Sequence, residues 1–79
     1  MEKTLNEIEV GRSSTVVGFA KGTGSSRQKL LAMGLIKGTV VKVVRVAPMG
    51  DPVEIMVRDF NLSLRRDEAK ALLVKEVGQ

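Results

Sequence analysis

The stretch VEIMVRDFNLSL, residues 53–64, decides the fold class. Val53, Ile55 and Val57 alternate with Glu54, Met56 and Arg58, and beyond them Phe60, Leu62 and Leu64 alternate with Asn61 and Ser63. A period of two sends successive side chains to opposite faces of a strand, so the pattern predicts two half-buried strands. The link Asp59-Phe60 is tight enough for a hairpin.

Working upstream, APMGDP (residues 47–52) carries Pro48, Gly50 and Pro52, which cannot extend a ladder and predict a loop with fixed turns. TVVKVVRVA (residues 39–47) is valine-rich with Lys42 and Arg45 inside it, a long strand whose two faces periodicity leaves unassigned. STVVGFA (residues 14–20) reads as a β-branched, aromatic strand broken by KGTGS, and residues 4–10 lead into a Gly11-Arg12 turn. Downstream, RDEAKAL (residues 66–72) has early acids and good helix formers for a single turn before LVKEV resumes a strand. The sum is a mostly β fold: a small SH3-like five-stranded barrel, with a short helix after the first long strand and a one-turn helix before the last.

That inserted helix lies in SSRQKLLAMGLIKG, residues 25–38. Ser25 or Ser26 is placed to cap its first turn, and Gly34 to end it in the left-handed conformation. Helices under about 12 residues are marginal in water, so Leu30, Leu31 and Met33 must pack on the barrel. Leu30 and Leu31 lie about 100° apart, which leaves one of them exposed. The expectation is Leu30 as an exposed anchor ringed by cations, making Arg27, Lys29, Leu30 and Leu31 the candidate partner-binding residues.

Composition narrows the function classes. The 79 residues allow one small domain with a thin core, and with two phenylalanines and no Trp or Tyr that core must be aliphatic. The absence of Cys and His excludes disulfides, thiol nucleophiles, imidazole ligands and histidine acid–base catalysis. No P-loop pattern is present for nucleotide hydrolysis, and no catalytic or cofactor-binding residues are assigned. Oxygen ligands for a divalent metal ion come only from Asp51, Glu54 and Asp59, enough for a weak site at most. Thirteen Lys and Arg against nine Asp and Glu give a net charge of +4, which favours acidic partners without identifying one. No apolar run nears the roughly 20 residues of a membrane span, and the amino terminus lacks a secretory pattern, so a cytoplasmic protein is expected. Phe19 and Phe60 fall in apolar strand patterns and are expected to be buried, which argues against base stacking and a specific nucleic-acid partner.

Three segments, RQKLLAMGLIKG, VVRVAPMGDPVEI and LSLRRDEAKALLV, occur in an order and spacing that resemble the FeoA family of ferrous iron transport proteins. The likeness runs from TLNEIEVG to the last strand, and two positions depart from it: Lys37 stands where proline is usual, and Ala32 where a polar residue is common. The resemblance implies an SH3-like barrel forming one FeoA-like domain over residues 1–79. It further implies a small cytoplasmic, non-catalytic accessory to FeoB, the membrane ferrous iron transporter that carries a cytoplasmic GTP-binding domain. On the matching positions, Gly34, Leu35 and Gly38 look like a helix-to-strand turn and Pro48, Gly50, Asp51 and Pro52 like a signature loop, both structural. Arg65 and Arg66 have two readings, pinning Asp67 or Glu68 locally or facing a partner, of which the local role is favoured. The alternatives are a module that binds or senses ferrous ion and a nucleic-acid-binding barrel. Edge strands of an open barrel also permit a homo-oligomer.

Overall fold

The structure, a computed structural model, describes residues 2–58 and 60–77. In chain order the elements are β1 (Glu2–Thr4), a 3-10 turn (Leu5–Glu7), β2 (Ser13–Phe19), α1 (Gly24–Ala32), β3 (Val40–Val46), a second 3-10 turn (Pro48–Gly50), β4 (Val53–Val57), β5 (Phe60–Leu64), α2 (Arg66–Ala71) and β6 (Leu72–Glu76). The six strands form one antiparallel sheet in the order β1-β6-β2-β3-β4-β5, curled as an SH3-like barrel. The gap between the two edge strands is covered by α2, which packs against β1, β5 and the Leu5–Glu7 turn.

The alternating pair behaves as its pattern dictates. Val53, Ile55 and Val57 of β4 are buried, and Leu64 of β5 lies opposite Val53 in the core. The hairpin closes at Val57↔Phe60, and Arg58 in its turn has a positive φ of 54°; Asp59 lies outside the described residues. β3 resisted face assignment for a physical reason: its register against β4 shifts between Val43 and Arg45, so the alternation of Val40, Val41, Lys42 and Val43 is interrupted by an extra residue.

Two expectations are corrected. The barrel has six strands, not five, because β1 pairs with β6 through Glu2↔Lys75, Lys3↔Val74 and Thr4↔Leu73. Three residues are too few to show a period. Phe60 is 46% exposed rather than buried. It stands opposite Val57, but at the end of the hairpin, where the core has run out. Phe19 is half-buried against the core, with the Arg27 guanidinium 5.5 Å from its ring centroid.

Candidate functional site

Helix α1 begins at Gly24, with Thr23 at the N-cap, two residues ahead of Ser25 and three ahead of Ser26, the serines expected to cap it. The Thr23 hydroxyl donates backward to the Ala20 carbonyl, while the Arg27 N–H donates to the Thr23 carbonyl to start the helix. Its end is a Schellman motif around Gly34, whose φ is +89° as expected of a left-handed terminator. The Leu35 N–H reaches the Leu30 carbonyl at 3.0 Å, and the Gly34 N–H reaches the Leu31 carbonyl at 3.0 Å. That motif brings the side chains of Leu30 and Leu35 to the same side, and both are fully buried.

The expected anchor is therefore reversed. Leu30 is in the core, and Leu31 is the exposed leucine, at 40%. The pattern leucine, three residues, Gly34, Leu35 carries the signal that distinguishes them, because the residue after the terminating glycine packs on the residue five positions before it. Of the four candidate partner-binding residues, Leu31 and Arg27 face solvent, with Arg27 over Phe19. Lys29 is committed within the fold.

Its partner is Glu68 on α2. Lys29 Nζ lies 2.5 Å from Glu68 Oε2, and the Arg65 N–H donates to Glu68 Oε1 at 2.9 Å. Glu68 is almost completely buried, so both oxygens of an otherwise costly carboxylate are satisfied. Burial pushes the Glu68 carboxyl up, but the Lys29 ammonium and the Arg65 N–H outweigh it and hold the group below the ordinary value of 4.5. The pair braces α1 against α2.

The arginine pair divides its work. Arg65 acts locally, as expected, through its backbone N–H on Glu68. Arg66 does not: its N–H donates to Asp51 Oδ1 at 3.2 Å and its Nη1 to the Met49 carbonyl at 3.3 Å, so it pins the 48–52 loop from the far end of the sequence. Inside that loop the Gly50 N–H donates to the Ala47 carbonyl and the Ala47 N–H to the Pro52 carbonyl. The result is a fixed tip that displays Met49, 90% exposed and at φ +69°.

Of the three carboxylates weighed as ferrous ligands, Asp51 accepts from Arg66, Glu54 stands between Arg45 and Ser63 in the ladder, and Asp59 lies outside the described residues. Among the described residues no three acidic side chains converge as a metal cluster.

A surface that periodicity did not single out forms where β3, β4 and the turn after α1 meet. One shallow pocket of about 410 Å³ is lined by Gly38, Val40, Lys42, Met56 and Arg58. A second, of about 260 Å³, is lined by Gly34, Ile36, Thr39, Val57, Arg58 and Phe60. Arg58 belongs to both. Ile36, Val40, Met56 and Phe60 are all exposed there, and among the described residues neither pocket has a carboxylate in its lining. The sequence signal for half of it was the pair Met56 and Arg58, set opposite the apolar residues in the alternation of residues 53–58.

Comparison with known proteins gives these features a setting. The FeoA domain family matches residues 3–76. A Porphyromonas gingivalis protein described as an Fe(2+) transport protein A/Fe(2+) transporter FeoB fusion is 37% identical over 74 residues, covering 94% of this chain but only 9% of that protein's length. The NMR structure of a FeoA-like protein from Clostridium acetobutylicum superposes with a TM-score of 0.89 at 36% identity, over 99% of this chain and 90% of that one. The crystal structure of Stenotrophomonas maltophilia FeoA complexed with zinc, described as a procaryotic SH3 domain protein, gives a TM-score of 0.76 at 29% identity, over 92% of this chain and 89% of that one. The barrel, the glycine-terminated helix and the pinned loop thus occur together in a chain that matches the family almost end to end, and the protein belongs to the FeoA family.

Proposed function

We propose that this chain is a non-catalytic accessory of ferrous iron uptake that works on the cytoplasmic side by binding a FeoB-type membrane transporter through that transporter's cytoplasmic GTP-binding region. The observation that carries this reading is the fusion protein of P. gingivalis, in which a unit 37% identical to this chain is joined to an FeoB transporter. Joining two modules in one chain raises their mutual concentration to the millimolar range when the linker is short, which benefits modules that touch. Among the described residues no helix is long and apolar enough to cross a membrane, so in this reading the transporter supplies the membrane part.

The test is capture of the purified, detergent-solubilised FeoB-type transporter of the same organism on immobilised protein, at physiological salt and with GDP or a GTP analogue present. Saturable retention in either nucleotide state is the expected result. No retention in any state refutes the reading.

A further inference from the structure

We infer that the partner docks in the double pocket around Arg58, by a short segment that places a carboxylate between apolar side chains. This deepens the accessory reading and rests on it. Three observations converge. Single exposed apolar residues are ordinary on a protein surface, but here Ile36, Val40, Met56 and Phe60 line two adjoining pockets. α1, by contrast, offers one leucine. Among the described residues the charge around this apolar centre has one sign: Lys42 and Arg58 line it, Lys37 is exposed beside Ile36, and none of the three is paired with a carboxylate. An apolar centre with a cationic rim is complementary to an apolar segment that carries acid.

The third observation is the backbone of Arg58. It sits in a hairpin turn at φ +54°, a conformation for which Gly, Asn or Asp is the economical choice and a long side chain is not. Backbone in a sparsely populated region, held by its surroundings, clusters at functional sites. Arg58 lines both pockets, and a guanidinium is the group suited to bidentate contact with a carboxylate.

That backbone supplies the test. Arg58→Gly removes the guanidinium while relaxing the turn, so its thermal midpoint should equal or exceed that of the parent protein, and its affinity for the purified transporter should fall about tenfold or more. Met56→Glu, which puts a like charge against an acidic ligand, should do the same, whereas Leu31→Glu on α1 should bind as the parent does. Such a pattern supports the docking site. If the parent binds the transporter and Arg58→Gly and Met56→Glu bind equally well, the docking site is wrong and the accessory reading stands. Failure of the parent protein to bind overturns both. Two further results would assign the face to another occupant and overturn the inference: a dimer in sedimentation that Met56→Glu dissolves while transporter binding is unchanged, or retention of single-stranded oligothymidine at physiological salt that Phe60→Ala abolishes.

Discussion

Replacing Lys29 by methionine tests whether this residue is a brace or a contact for a partner. The stem volume is kept, but the ammonium leaves Glu68 Oε2, and a nearly buried carboxylate is left with one donor, the Arg65 N–H. Removing one partner of a fully buried pair costs about 3–5 kcal/mol. The Lys29 side chain is 56% exposed, so water screens and partly replaces what is lost, and a cost of about 1–2 kcal/mol is expected. For a domain of this size that lowers the thermal midpoint by roughly 5–15 °C. The pH dependence fixes the cause. A carboxyl held below its ordinary value contributes stability that is present above that value of 4.5 and is lost as pH falls through the folded-state value. Without Lys29, only Arg65 opposes the effect of burial on Glu68, and most of the advantage of ionisation is gone. The gap between parent and Lys29→Met melts should therefore be full at neutral pH and close as pH drops below 4.5. A double-mutant cycle with Glu68→Gln at neutral pH should return most of the cost as coupling. A gap of the same size in acid, or single-mutant effects that simply add, would refute the brace.

Leu30→Gln should cost about 3–5 kcal/mol in urea unfolding, because it both opens a cavity and buries an unpaired amide, while Leu31→Gln should stay within about 1 kcal/mol of the parent; equal effects would contradict the Schellman assignment. Met49→Gly should raise stability by about 0.5–1 kcal/mol, since it removes the Cβ from a residue at φ +69°, and a lower melting point would show that the Met49 side chain contributes more than its exposure indicates. Anaerobic calorimetry with ferrous ion is expected to reveal no site tighter than about micromolar, roughly −8 kcal/mol, and a stoichiometric tight site abolished by Asp51→Asn or Glu54→Gln would reverse that expectation.

The sequence by itself determined what depends on neighbours along the chain. Alternation in residues 53–64 fixed β4 and β5 with their inward faces, because side chains two apart must share a side of a strand whatever lies across from them. The glycine that ends α1 and the prolines that interrupt the 48–52 loop were equally legible, since they act on their own backbone dihedrals. The burial of Leu30 rather than Leu31 was written there too, in the residue after Gly34, but as a capping signal rather than as periodicity.

Tertiary structure alone decided the contacts between segments. Nothing near Lys29 or Glu68 in the chain marks them as partners; they meet because α2 closes the gap between the edge strands and so lies against α1. Arg66 reaches Asp51 and Met49 for the same reason, at the point where α2 leaves β5. Phe60 obeys its strand pattern yet stands in solvent, because period two assigns a side of the sheet and not whether the core extends that far. The double pocket is assembled from the turn after α1, β3 and the β4–β5 hairpin, three segments that no local rule connects. Local propensity sets which face a residue takes, but which faces meet is set by sheet order, and that order is fixed only when the whole chain has closed around its core.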